Sequence, residues 1–285
     1  MKEPLVSILM TAYNRENYIA EAIESVLESA YINFELIIVD DCSKDRTVNI
    51  ARVYAEKDSR VKVYVNEKNL GDYPNRNKAA SYAKGEYIMF VDSDDKIFEK
   101  GIQECVSLMQ SYPGSSFGMR LFNKECEPFE LNPREVINMH FFEEPILTIG
   151  PGGTIIKRAF FEKIKGYPEE YGPANDMYFN LKAACHTSVV MIPFEFLFYR
   201  RHEGQEINNK KSYLYNNYRY LNDALHELPL ELPNEKLQWL QSKNKRRFLV
   251  NVSKYFLSTF NLRKTVFFLR ITKFNLKDTL QAIFH

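Results

Sequence analysis

Three aspartates stand within four residues at Asp92-Ser-Asp94-Asp95, directly after the apolar run Tyr87-Ile-Met-Phe-Val91. An acidic pair, Asp40-Asp41, follows the run Phe34-Glu-Leu-Ile-Ile-Val39 in the same way, and Thr11-Ala-Tyr-Asn-Arg15 follows Leu5-Val-Ser-Ile-Leu-Met10. Carboxylates this close repel one another, so the pattern calls for a cation or for hydrogen-bond donors. A calcium loop of EF-hand type is excluded, because its sixth position needs glycine and Ile97 stands there. A hard divalent ion, Mg2+ or Mn2+, shared between one or two carboxylates and phosphate oxygens, meets the requirement. For Asp40-Asp41 and Ser43, capping of the next helix explains the residues equally well.

The elements around these residues alternate. Arg15 to Ser29 carries Ile19, Ile23, Val26 and Leu27 at helical spacing, and helical spacing returns around Val48, Ala51 and Ala55. Val61-Lys-Val-Tyr-Val65 reads as a strand, and Asn75 to Ala83 as a helix that Lys84-Gly85 would end with a left-handed glycine. Strand and helix in alternation predict an α/β fold with a mostly parallel sheet covered on both faces. In such sheets ligands sit beyond the carboxyl ends of the strands, where the five carboxylates would gather.

Neither the GxGxxG of a dinucleotide fold nor a GxxxxGK[ST] phosphate loop is present, and Gly150-Pro-Gly-Gly153 fits neither pattern. Cys42, Cys105, Cys126 and Cys185 lie far apart without metal-site spacing, as expected of a reduced, cytoplasmic protein. The opening Met-Lys-Glu-Pro-Leu lacks the apolar core of a signal peptide. Net charge is +1, yet Gln241 to His285 holds ten Lys/Arg against one acid, Asp278, a local charge of +9 that leaves −8 elsewhere.

Four blocks in order resemble the inverting glycosyltransferases of family 2, which have the GT-A fold. They are Val6-Ser-Ile-Leu-Met-Thr-Ala-Tyr-Asn-Arg with Glu21-Ala-Ile-Glu-Ser-Val-Leu27, Phe34 to Thr47, Asn69-Leu-Gly71 with Arg76-Asn77, and Lys84 to Asp95. The likeness is looser as far as Gln205 and lost beyond it. It implies a GT-A catalytic domain over 1–205, with a nucleotide-binding half at 1–100 and an acceptor half at 101–205. A helical basic region at 206–285 would follow. It also implies transfer of a sugar from a nucleotide-diphosphate donor, most often a UDP-sugar, to an acceptor hydroxyl in polysaccharide or glycan assembly.

Carried over by residue, the resemblance assigns Thr11, Ala12, Tyr13, Arg15 and Asp41 to the donor's nucleoside, and Asp92 and Ser93 to its ribose side. Asp94 becomes a ligand of the divalent metal, with His202 of Tyr199-Arg-Arg-His202 as a second metal or diphosphate group. Arg76 is a candidate phosphate donor, an exposed helix arginine being the plain alternative. The family's Glu-Asp pair falls at Asn175-Asp176, which keeps Asp176 as the candidate base but replaces the usual glutamate; a helix cap is the competing role. Gly152 and Gly153 fall in the acceptor-side segment. Processive synthases carry a Gln-x-x-Arg-Trp element that this chain lacks, so single transfer is expected.

A sugar nucleotidyltransferase would be expected to open with a glycine-rich loop, absent from Thr11-Ala-Tyr-Asn-Arg15, and a nucleotide-binding relic without a base is the non-enzymatic alternative. In the tail, Phe248, Val252, Tyr255, Phe256 and Phe260 fall near helical spacing among the cations. A packed appendage and a basic surface lying on the inner face of a membrane both fit this pattern. Expected partners are a nucleotide sugar and a saccharide or lipid-linked saccharide. Nucleic acid is not expected at an acid-lined site.

Overall fold

The computed structural model describes residues 3–121, 126–202 and 210–284. The boundary expected at 205/206 and the end of the motif after His202 lie outside the described residues. The first half runs β1 (Val6–Ala12), α1 (Ile19–Leu27), β2 (Phe34–Asp40), α2 (Thr47–Lys57), β3 (Val61–Val65), α3 (Asp72–Ser81) and β4 (Tyr87–Phe90). A short β5 (Lys96–Ile97) and α4 (Gly101–Ser111) lead to β6 (Phe117–Arg120), β7 (Phe129–Leu131) and α5 (Pro133–Phe142). Then come β8 (Thr154–Lys157), α6 (Arg158–Lys163), α7 (Asn175–Ala184), β9 (Val189–Ile192) and β10 (Leu197–Phe198). Four helices close the chain: α8 (Lys210–Glu227), α9 (Asn234–Thr259), α10 (Leu262–Ile271) and α11 (Leu276–Phe284).

Eight strands form one sheet in the order β3-β2-β1-β4-β8-β6-β9-β7, and β10 pairs with β5 in a separate ribbon. The first four are mutually parallel, whereas β8 enters antiparallel between β4 and β6. Both faces are covered, which is why β1 and β2 are buried along their whole length. Leu36 and Ile38 join the core beneath α1, α2 and α4, while Ile37 and Val39 join the opposite core. Register sets the site. Ala12 lies beside Asp40, and Leu9 beside Phe90, so the loops after β1, β2 and β4 emerge at one edge.

Gly85 has a different role from the one its position suggests. The helix before it ends at Ser81 with a right-handed cap, and Gly85 does not take positive φ. Instead a Cβ there would stand 2.6 Å from the Ser7 nitrogen and 2.7 Å from the Leu5 oxygen. Its N–H donates to Ser7 Oγ, and Ser7 in turn donates to Glu35 Oε1, closing the sheet's amino end. The glycine with positive φ at α3 is Gly71, at its start.

The C-terminal helices continue this architecture. Ala224, Leu225, Leu230 and Leu240 belong to the same core as Phe117, Phe161 and Phe179. A smaller core of Tyr218, Phe248, Val252, Phe268, Phe274 and Ala282 holds the distal helices together.

Candidate active site

The edge expected to hold five carboxylates divides into two groups. Asp40 is spent locally, accepting from the Ser43 N–H at 2.8 Å and from its hydroxyl. Asp41 lies buried and accepts from Leu70 N at 2.8 Å, Asn66 Nδ2 at 2.8 Å and Gly71 N at 2.9 Å. Both its oxygens are engaged, so it pins the loop between β3 and α3 rather than capping α2. That loop brings Asn66 and Gly71 beside Asp41 at the end of β2.

Asp92, Asp94 and Asp95 do converge, one carboxylate oxygen of each lying within 4.8 Å of the others. Each is met by a donor from elsewhere. Arg76 donates to Asp92 Oδ1 at 2.6 Å, and Arg15 Nε donates to Asp94 Oδ2 at 3.0 Å. His202 Nε2 lies 2.8 Å from the same Asp94 oxygen, its ring stacked on Tyr18 at 4.8 Å. Asp95 accepts from the Arg200 N–H at 2.9 Å. Burial, then the neighbouring Asp92 charge, pushes the Asp95 carboxyl up to about 8 despite that hydrogen bond. Converging carboxylate oxygens with an imidazole beside them fit a divalent cation such as Mn2+ or Mg2+.

Several expected contact residues hold one another. Ser93 Oγ donates to the Thr11 carbonyl at 2.8 Å, clipping the end of β1 to the acidic turn. Ala12 accepts from the Asp41 N–H at 2.7 Å. The Arg15 N–H donates to Thr47 Oγ1 at 2.7 Å, fastening the first loop to α2. Tyr13 alone among the first-loop candidates is open, 45% exposed. Asn14 beside it takes positive φ.

Arg76 corrects one expectation. Rather than an exposed helix arginine, it is only 6% exposed, and it joins Asp92 to Asp72 through hydrogen bonds of 2.6 and 2.9 Å. Its guanidinium sits over Tyr73 and Phe90.

Asp176 lies in the first turn of α7 and is not its cap, since the capping position is Ala174. Although the residue reaches solvent in part, its carboxyl is set among buried groups. Burial pushes it up to about 7, opposed by the Met177 N–H, the Arg76 charge and a Tyr73 hydrogen bond. Asn175 is structural: it is buried and accepts from the Tyr171 N–H at 2.9 Å.

The glycine segment also rearranges expectations. A Cβ on Gly153 would fall 2.1 Å from Ile149 Cγ2, so packing explains that glycine. At Gly152 a Cβ would meet Leu197 and the Phe90 carbonyl at 3.6 Å. Gly150 is the position facing the candidate base, where a Cβ would stand 3.7 Å from Asp176 Oδ2. Arg200 and Gly150 escape sequence reasoning as site residues, although both lie inside motifs the sequence displays.

The model of glycosyl transferase family 2 matches residues 7–165, more than half of the chain. The chain belongs to this family.

Among family relatives, the Bacillus subtilis (strain 168) protein TuaG, named for teichuronic acid biosynthesis, is 45% identical over 130 residues, covering 45% of this chain and 52% of its own. The Escherichia coli UDP-Glc:alpha-D-GlcNAc-diphosphoundecaprenol beta-1,3-glucosyltransferase WfgD is 41% identical over 109 residues, 38% of this chain and 42% of its own. This family 2 chain thus aligns with about half the length of those curated relatives. In fold it matches S. aureus TarS residues 1–349 in complex with UDP, with TM-score 0.68 at 22% identity, covering 91% of this chain and 76% of that 1–349 chain. It also matches the mannosyltransferase PcManGT from Pyrobaculum calidifontis in complex with GDP-Man and Mn2+, with TM-score 0.67 at 15% identity, covering 99% and 84%. The GT-A fold is the one this family 2 chain adopts.

Proposed function

We propose that this chain is an inverting, metal-dependent glycosyltransferase that takes a UDP-sugar as donor and a saccharide hydroxyl as acceptor, in polysaccharide or glycan assembly. The observation that carries the reading is one buried arginine, Arg76, hydrogen-bonded to the acidic cluster through Asp92 and electrostatically felt by Asp176. The acidic cluster and the candidate base are thereby tied to one buried guanidinium.

The nucleoside would lie against Thr11, Ala12, Tyr13 and the loop held by Asp41, with the ribose toward Asp92 and Ser93. Asp94 and His202, with Asp92 and Asp95 beside them, would hold Mn2+ or Mg2+. Such an ion neutralises the negative charge that grows on the departing diphosphate. Asp176, with its carboxyl up to about 7, takes the proton of the acceptor hydroxyl, since a base works best with a pKa near the operating pH. The new bond to the anomeric carbon forms opposite the breaking bond to the diphosphate, which inverts the configuration.

The names of the relatives support a saccharide built on a lipid diphosphate as acceptor, because WfgD is named for such a substrate. The test is a panel of nucleotide sugars scored for thermal stabilisation with Mn2+, then for UDP release with saccharide acceptors and for product anomer by NMR. A β-linked product from an α-linked UDP-sugar is expected. A retained configuration overturns the mechanism, and stabilisation by other nucleotides but not UDP overturns the donor.

A further inference from the structure

Helix α9 ends at Thr259, and Phe260 then takes left-handed backbone (φ 49°) before α10 begins at Leu262. α10 and the residues just after it run back along α9, as the Tyr255–Phe268 and Phe248–Phe274 ring contacts show. The small distal core fills the inside of this hairpin, yet its turn turns large apolar side chains outward. Leu257 is 65% exposed, Phe260 76% and Leu262 64%, with Phe267 also exposed. The left-handed residue is a poor choice for sterics and is displayed all the same.

Cations surround the turn. From Lys236 to Lys277 the chain holds eleven Lys/Arg and no acid. Lys254, Arg263, Lys264 and Arg270 are exposed, and among the described residues none of them makes an ion pair, whereas Lys245 pairs with Asp278. A solvated charged face accounts for the cations but leaves the apolar turn among them unexplained. A second copy is opposed by the charge itself, since the face would meet an equally positive one. A surface that is anionic at its boundary and apolar beneath satisfies both observations at once. No helix among the described residues is long and apolar enough to cross a membrane, so the hairpin would lie on the surface.

We propose that the α9–α10 turn docks on an anionic phospholipid bilayer, with Leu257, Phe260 and Leu262 entering the headgroup boundary and Lys254, Arg263 and Lys264 meeting lipid phosphates. The proposal stands on this surface and not on the donor assignment.

The test is co-sedimentation of the full chain with phosphatidylcholine vesicles, with and without phosphatidylglycerol, at low and high salt. Binding is expected only with phosphatidylglycerol and falls as salt rises, because screening shortens the reach of each charge. The double variant Phe260→Asn, Leu262→Gln, whose asparagine suits left-handed backbone, should partition on the order of tenfold or more weakly. Lys254→Gln, Arg263→Gln, Lys264→Gln should weaken binding about fivefold per charge removed. Unchanged melting and UDP binding in both variants show that the fold and donor site persist, so loss of docking and loss of the donor reading are separable. An intact chain that ignores phosphatidylglycerol at low salt overturns the proposal, as do variants that sediment like the native chain. A change in mass by light scattering in the Phe260 variant assigns the face to a second copy and overturns it too.

Discussion

Asp94 meets Arg15 Nε and His202 Nε2 on one carboxylate oxygen. On the proposed function, UDP with Mn2+ raises the melting temperature, since binding to the folded state stabilises it. In Asp94→Ala the metal-dependent part of that shift should vanish while the shift with UDP alone remains. Equal shifts in both proteins count against Asp94 as a ligand. Asp176→Asn keeps the shape and removes the proton acceptor. Donor binding should then persist while transfer falls by roughly 10²-fold or more. Native transfer should rise with pH through about 7, where the Asp176 carboxyl ionises, and level off above. The sign for stability is opposite. The folded carboxyl titrates above its ordinary 3.8, so the folded state loses stability as pH climbs from that value toward 7. The Asn variant escapes this loss, and its melting advantage over the native chain should widen across that window. At this scale the sequence displays which acids cluster, because three of them share one turn. It does not display that Arg76 is buried, because its partners Asp92 and Asp72 come together only in the fold.

The loops after β1 and β2 are latched by Arg15 N to Thr47, and Lys44 N to Asn14. Such clipping holds first-loop groups ready for a ligand rather than ordering them on binding. At the opposite edge Gly85→Ala tests a packing claim. Its Cβ meets backbone atoms of the central strand at 2.6 and 2.7 Å, with no flexible side chain able to yield to both. Destabilisation of about 1–3 kcal/mol is expected, measured by denaturant midpoint at unchanged slope. The apolar runs of β1, β2 and β4 are legible in the sequence because strands buried on both faces need no polar alternation. The antiparallel entry of β8 is not, since its four residues pair with β4 and β6 far along the chain. Gly85 is misread for the same reason, and the tight contact of Gly153 with Ile149 is equally hidden, because both sets of close neighbours are set by packing rather than local turn chemistry.

The sheet's core does not stop where the motifs do. α8 is bound to the α7 region by Tyr171 to Asp223 and Tyr178 to Glu227, each 3.0 Å, and by Arg219 to the Glu170 carbonyl at 2.7 Å. Ala224, Leu225, Leu230 and Leu240 extend the apolar contact. A chain ending at residue 205 should therefore aggregate or melt well below the native protein, whereas one ending near residue 241 should keep a cooperative transition and UDP binding. Calorimetry with and without UDP checks both. Helical spacing in the tail is readable from sequence, but periodicity alone does not say which face meets the sheet.

The shared core also bears on how such chains are recombined. The match to the family model ends at residue 165, ahead of Asp176, whereas the shared apolar core runs on through α8 into the first turns of α9. A chimera joined at residue 165 would cut one shared core in two and part Asp176 from Arg76, Asp72 and Tyr73, whose charges and hydrogen bond act on its carboxyl. A joint beyond Leu240 would exchange only the distal hairpin. If that hairpin docks on lipid as proposed, inheritance could alter where the chain sits without touching the sheet edge that gathers the acids, and address and chemistry would be free to drift apart.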